Sequence, residues 1–318
     1  MDTLITVIPV HNGEKYIGAT LESIAAQTHR PDRLIVLDNC STDGTRGAVT
    51  KFCGMCCEWI QNDRNLGLFG NLNRALEFAP ESTFLHLLHA DDLILPDFYQ
   101  RAIDALRSSP GRALAYCLPK FINENDEPAH GPRVKPPSRL RVISPERFIA
   151  QRAELRPIYF VGVLLKTDQQ PSPCKFREDM PQVADHVFWA EWMKHSSQAV
   201  ELPVRLAKYR FHSSSGTSRN LSQLQPWVLD EWRAMQAVTG LLQGSRVCRW
   251  VRLQKLKAIF AARCFDKVAQ VEASAPEFAR EIRNAALQIA GSVPFVAGKA
   301  AVLLRDFVFF SRANNGSS

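Results

Sequence analysis

The chain of 318 residues lacks the short signatures of several common enzyme classes. No GxGxxG follows the first strand-like run, and GxxxxGK[ST] occurs nowhere, which excludes a dinucleotide fingerprint and a P-loop. The GxSxG elbow of the α/β-hydrolases is absent too. The cluster CGMCC at residues 53–57 has no second CxxC or HxxxH at zinc-site spacing, so zinc is not expected there. The eight cysteines are scattered rather than framed, which argues against a disulfide scaffold and for reduced thiols. The amino terminus shows no basic leader followed by an apolar stretch, so the chain is expected in the cytosol. The last apolar stretch, VPFVAGKAAVLLRDFVFF, is broken by Lys299, Arg305 and Asp306 and does not read as a spanning helix.

What the sequence does contain is an alternation. LITVIPV and RLIVLD read as β-branched strands, with the helical spacing of YIGATLESIAAQ between them. A strand near EWIQN, a helix over GNLNRALEFA, the strand TFLHLL, a helix over PDFYQRAIDALRSS and the strand ALAYCL continue the pattern. It implies an α/β fold with a mostly parallel sheet and helices on both faces. Residues 119–145 are rich in Pro, Gly, Asn and charge and read as one long loop. Ser144 caps a helix that Pro145 opens, and VADHVFWAEWMKH is another helix. After about Pro226 the pattern is nearly all helical, placing a boundary between a domain over 1–225 and a helical C-terminal region over 226–318.

In an open parallel sheet, ligands meet the carboxyl ends of the strands. Here those ends read PVHNGE, DNCSTDGT and HADD, which would bring Asn12, Asp38, Asn39, Asp43, Asp91 and Asp92 to one edge. A hard divalent cation bridging a diphosphate suits such an edge.

The ordered set VIPVHNGEKYIGATLESIAAQTHRPDRLIVLDNCSTDGT, NLGLFGNLNRAL and LLHADD resembles the nucleotide-sugar half of a family 2 glycosyltransferase of the GT-A fold, over roughly residues 4–100. The resemblance divides the first domain into a nucleotide-sugar half (1–118) and an acceptor half (119–225). It implies that Pro9, Val10, His11 and Asn12 help form the nucleotide pocket, with Asp38 or Asn39 facing a uracil or thymine. Asn65, Gly67 and Gly70 would shape a helix entry from which Asn71 or Arg74 reaches the donor; an exposed, solvated Arg74 is the alternative. Asp91 and Asp92 would hold Mn²⁺ or Mg²⁺, with Asp91 also against the donor, and His212 in YRFH would join the metal or the diphosphate. Arg210 would add charge and SSSGTS would form a lid. Asp185 in VADHVFW occupies the place of the general base, with Glu178 and Asp179 as runners-up.

The expected activity is thus an inverting, metal-dependent transfer from a UDP- or dTDP-sugar to a glycan or lipid-linked acceptor, in cell-envelope polysaccharide synthesis. Three departures, Asn39, His89 and Ala184, keep open an inactive nucleotide-sugar binding or scaffold protein. A sugar nucleotidyltransferase would need a glycine-rich basic loop where PVHNGEKY stands.

The charge is concentrated in the tail, where residues 226–318 hold 13 Lys and Arg against 7 Asp and Glu, out of a chain total of +7. Between Arg246 and Arg263 lie six basic residues and no acid, interleaved with Trp250, Leu253, Leu256, Ile259 and Phe260. That composition suits anionic head groups at the cytosolic face of a membrane, although a three-residue step spreads the charges around a helix. Packed, solvated helices are the competing reading. Nucleic acid is not expected, because no recognition motif accompanies the charge.

Overall fold

The computed structural model describes residues 2–52, 57–132, 134–212 and 222–302. Cys53 and Cys56, the SSSGTS segment and the chain beyond 302 lie outside them. Among the described cysteines five are free, whereas Cys57 is disulfide-bonded, against the expectation of reduced thiols throughout.

The strands are β1 (Leu4–Val10), β2 (Arg33–Asp38), β3 (Glu58–Gln61), β4 (Phe84–Leu87), β5 (Leu93–Ile94), β6 (Ala113–Tyr116), β7 (Lys120–Ile122), β8 (Arg141–Ile143), β9 (Val163–Lys166), β10 (Ala199–Glu201) and β11 (Ala207–Arg210). Eight form the main sheet in the order β3-β2-β1-β4-β9-β6-β10-β8. The first four are mutually parallel, and β6 is parallel to β10; β9 runs antiparallel between β4 and β6, and β8 is an antiparallel edge. A second sheet, β5-β11-β7, sits beyond it. Residues 119–145 are therefore not one loop, since β7 and β8 stand at its two ends and each finds a partner elsewhere in the chain.

The helices are α1 (Ile17–Ala25), α2 (Thr45–Phe52), α3 (Gly67–Ala75), α4 (Phe98–Arg107), α5 (Pro145–Ala153), α6 (Ala184–Lys194) and, in the C-terminal region, α7 (Asp230–Gly240), α8 (Arg246–Val271) and α9 (Pro276–Ala290). As expected, the Ser144 hydroxyl accepts from the Arg147 amide and Pro145 starts α5. One apolar cluster covers each face of the sheet. The one containing Ile5, Leu85, Phe148 and Trp189 runs on without a break into Met235 of α7 and Phe260 of α8. The tail helices thus complete the core on that face.

Every residue of β1 is buried, as a β-branched central strand requires. Pro9 near its carboxyl end needs an explanation, because proline cannot donate to a ladder. The pairing with β4 covers only Leu4 to Val7, whereas the pairing with β2 continues to Val10. The Val7 carbonyl accepts from Leu88, and alternate residues of a parallel strand face the same neighbour. Pro9, two residues on, turns its missing N–H toward β4 after that ladder has ended. Between β1 and β4 the sheet opens at its carboxyl edge, where the strand order reverses.

Candidate active site

Three loops meet at that opening. Asn12, held at φ 54, accepts the Thr42 amide on its side-chain oxygen at 2.8 Å, while its own amide donates to the Ser41 hydroxyl at 2.9 Å. The loop after β1 is thereby tied to the loop after β2. Asp38, only 1% exposed at the end of β2, accepts the Ser41 amide. His11 contacts the Asn39 carbonyl through Nδ1 at 2.9 Å, which makes Nδ1 the protonated nitrogen and leaves Nε2 to face Asn65.

Asn39 uses both ends of its amide. Its Nδ2 donates to Asn65 Oδ1 at 2.8 Å and the Gly67 carbonyl at 3.2 Å, and its Oδ1 accepts the Leu66 amide and Asn62 Nδ2, each at 2.8 Å. The backbone partners fix which end is which. Asn62 in turn donates to Asn71 and accepts from Arg74, and Asn71 donates to the Leu37 carbonyl. Arg74 Nη1 donates to Asn62 Oδ1 at 2.7 Å, which ties its guanidinium to this network rather than leaving it a wholly solvated helix arginine. Gly67 takes φ 73 at the mouth of α3, a left-handed turn that glycine alone enters without strain. A carboxylate at position 39 would have no donors. Asn39→Asp is expected to set its oxygens against Asn65 Oδ1 and the Gly67 carbonyl and to cost about 2 kcal/mol, read as a lowered denaturant midpoint.

The acidic turn after β4 holds the densest chemistry. Donor atoms of His89, Asp91 and Asp92 lie within 4.8 Å of one another. His89 Nε2 and Asp92 Oδ2 are buried with no hydrogen-bond partner, and the His89 ring is stacked on Phe160 at 4.7 Å between centroids. Asp92 Oδ1 accepts the Arg210 amide at 2.9 Å, and Asp91 accepts His212 Nε2 at 2.8 Å. Burial, reinforced by the charge of Asp91, pushes the Asp92 carboxyl well above the usual range. Burial acts the same way on Asp91, but the His212 hydrogen bond and the neighbouring histidines outweigh it and hold that carboxyl low. Burial also lowers His89.

Arg210, 2% exposed, clamps this turn instead of presenting free charge. Its Nε donates to the Asp91 carbonyl at 2.7 Å, Nη1 to the Asn123 carbonyl at 3.1 Å and Nη2 to Asp126 at 2.7 Å, with the guanidinium over Tyr16. The second sheet explains why it can: β11 pairs with β5, which directly follows the acidic turn, and with β7, which precedes Asn123.

Asp185 stands in the first turn of α6, one helical turn from Trp189, whose ring meets the same Phe160 that stacks on His89. Burial raises its carboxyl to about 6, against weaker opposing effects from the His186 amide and the Arg152 charge. Ala184 beside it is fully buried. Asp179 differs sharply: hydrogen bonds from Arg177 and Arg233 hold it down to about 2, so it is a latch and a poor base. Glu178 lies near Gly70, on the loop that Asn73 fastens to α3 through both bonding groups of Phe176.

The structure thus brings His11, Asn12, Asp38, Asn39 and Asn65 together at one end of the opening and Asp91, Asp92 and His212 at the other. Pro9 and Val10 are buried strand residues. Two contributors are not apparent from sequence. His89 enters as a donor rather than a substitute for an acid, and Arg152, 2% exposed and stacked on Phe148, has Nε and Nη1 without partners. Burial lowers that guanidinium to about 10. A signal for it existed: 148, 149, 152 and 153 form the inward stripe of α5, and an arginine interrupts it.

Residues 6–162 match the family described as "Glycosyl transferase family 2". The chain is 23% identical over 226 residues to "UDP-Glc:alpha-D-GlcNAc-diphosphoundecaprenol beta-1,3-glucosyltransferase WfgD" of Escherichia coli, spanning 70% of this chain and 83% of that protein. It is 30% identical over 104 residues to "Putative teichuronic acid biosynthesis glycosyltransferase TuaG" of Bacillus subtilis (strain 168), spanning 32% and 41%. Among solved structures, S. aureus TarS 1-349 in complex with UDP-GlcNAc superposes with a TM-score of 0.65 at 19% identity, over 91% of this chain and 81% of that one. Mannosyltransferase PcManGT from Pyrobaculum calidifontis, in complex with GDP-Man and Mn2+, gives 0.57 at 15% identity over 94% and 86%. At these identities the likeness is one of fold, and the fold is GT-A.

Proposed function

The chain belongs to glycosyl transferase family 2, and on that premise we propose that this glycosyltransferase moves a sugar, with inversion and with a divalent cation bound, from a UDP- or dTDP-sugar to a glycan or lipid-linked hydroxyl in envelope polysaccharide synthesis. One observation carries the reading: buried donor atoms of His89 and Asp92 without partners, grouped with Asp91 where the sheet opens. Buried polar atoms are rarely left unpaired, and two carboxylates with an imidazole suit Mn²⁺ better than the all-oxygen preference of Mg²⁺. His89, Asp91 and Asp92 would hold the ion, with His212 steering Asp91. Such an ion supplies positive charge that offsets the charge gathering on a departing diphosphate.

The protein's own groups do the rest. Asp38 and the loops joined by Asn12 and Asn39 hold the nucleotide at the carboxyl ends of β1 and β2. Asp185 takes the proton of the acceptor hydroxyl as that oxygen forms its bond to the anomeric carbon. The bond to the diphosphate breaks on the opposite face, its electron pair leaving with the diphosphate, and the configuration inverts. A carboxyl raised to about 6 is ionised at neutral pH yet remains a better proton acceptor than an exposed aspartate. The donor base and the lipid-linked acceptor are supported by the name of one relative, which carries UDP-Glc and a diphosphoundecaprenol acceptor.

A panel of nucleotide sugars tests the reading by thermal shift and by release of nucleoside diphosphate. A uridine or thymidine diphosphate sugar is expected to raise the melting temperature and to be turned over with Mn²⁺, and chelation to abolish both. Turnover undiminished by chelation, or with guanosine donors alone, would overturn it.

A further inference from the structure

The first ten residues of α8 overhang the body of the protein. Its buried positions begin only at Leu256, whereas Val247, Trp250 and Val251 are 71%, 62% and 53% exposed. These three sit at i, i+3 and i+4, so they form one apolar stripe on the helix. Beside the stripe a cavity of about 380 Å³ opens between α5 and α8, lined by Ala150, Ala153, Leu242, Val247 and Val251 and bordered by Arg252 and Lys255. An exposed tryptophan next to an apolar cavity is uncommon on a surface that stays in water.

The helix supplies charge of one sign here, and Glu154, the acid lining the cavity, is paired with Lys255. Arg246 and Arg249 are exposed and have no ion pair among the described residues, while Lys255 bonds Glu154 and Arg252 lies near the Leu242 and Gln243 carbonyls. No acid occurs on α8 before Asp266. A surface that complements this combination is apolar within and negative at its rim. That is the description of an anionic bilayer, in which tryptophan favours the interface and basic side chains reach the head groups.

A further helix after α9, described over residues 292–302, bears on the choice. Its Gly298 lies so close to Ala258 and Ala262 that an added Cβ would fall within 3 Å of their backbone atoms, and Phe295 meets Phe265. It therefore covers the second half of α8 and leaves the overhang bare among the described residues. No described helix is long and apolar enough to cross a membrane, so attachment there would be peripheral.

We propose that the overhanging turns of α8, with the α5/α8 cavity, dock the protein on anionic lipid, an acyl chain entering the cavity and head groups meeting Arg246 and Arg249. The inference stands apart from the donor, the acceptor and the metal.

Vesicle co-sedimentation of the full chain tests it, using one third phosphatidylglycerol in phosphatidylcholine against phosphatidylcholine alone. Binding is expected only with the anionic lipid and weakens as salt rises. Removing the two charges in Arg246→Ala/Arg249→Ala lowers affinity about 25-fold, at roughly fivefold each. Trp250→Ala lowers it about tenfold through lost apolar burial. All three positions are exposed, so melting temperature and turnover on a small soluble acceptor stay at the parent level. Equal binding to both vesicles, no binding, or binding indifferent to these substitutions would overturn the proposal. So would a Trp250 already shielded from an aqueous quencher without lipid, read by difference from Trp250→Phe, because the chain's own C-terminal residues would then occupy the face.

Discussion

Asp185→Asn is expected to slow sugar transfer roughly a thousandfold, the scale of a lost general base, while the dissociation constant for the nucleoside diphosphate stays within about twofold. The amide keeps the volume and the place in the first turn of α6 but cannot accept a proton at neutral pH. In the parent enzyme, kcat/KM should rise with pH through an apparent value of about 6, where the carboxyl ionises. The variant should lack that limb. Stability moves the other way, and its sign follows from proton binding. Between 3.8, the ordinary value, and about 6 the folded chain holds a proton at Asp185 that the unfolded chain has released. The side chain thus costs no stability at low pH, and the cost grows as pH rises through about 6. At pH 8 Asp185→Asn should be more stable than the parent by on the order of 2 kcal/mol. A variant both inactive and destabilised at pH 8 would show Asp185 to be structural.

Asp91→Asn should act on binding rather than on proton transfer. Its amide oxygen still accepts from His212, so the turn after β4 is expected to fold and the melting temperature to change little. The negative charge facing the donor cluster is gone. Affinity for Mn²⁺, measured by calorimetry on the protein without donor, should fall at least a hundredfold, and turnover should fall to background. Unchanged Mn²⁺ affinity would remove Asp91 from the metal site and leave it as a partner of His212 alone.

The parts of this architecture that depend on local pattern were open to reading from sequence. LITVIPV could only be a buried strand, YIGATLESIAAQ only its crossover helix, and the polar residues after each strand could only gather at one edge. Asp38, Asp91 and Asp92 follow from that reasoning with little else. Strand β9 does not, because an antiparallel strand slipped between β4 and β6 is decided by long-range packing. The short strands β5, β7 and β11 have too few residues for a period to show. α2 has a polar sequence, TRGAVTKF, with Thr45 and Val49 its only buried residues.

The three departures from the family pattern also resolve into physical roles. Asn39 supplies the donors that an acid could not, which keeps the helix entry at Gly67 in place. His89 is an unpartnered donor beside two carboxylates. Ala184 fills core space where the helix packs, leaving Asp185 the sole acid of that turn. None of these could be argued from one residue's identity, because each depends on a neighbour distant in sequence. Arg210 shows the same limit: a basic residue before a histidine suggested free charge, and the fold uses every one of its contacts internally.

That clamp has a consequence for the order of assembly. Asp91 and Asp92 are fixed by the backbone and side chain of Arg210, 118 and 119 residues further on, and by His212, 121 residues away. A nascent chain that has emerged as far as β6 contains all three donor residues and the strand that carries them, yet nothing to hold the turn in shape. Closure across so long a separation comes late. The proposed ion site is therefore completed only with β11 and the residues just after it, and an incomplete chain is expected to bind no metal until they are in place.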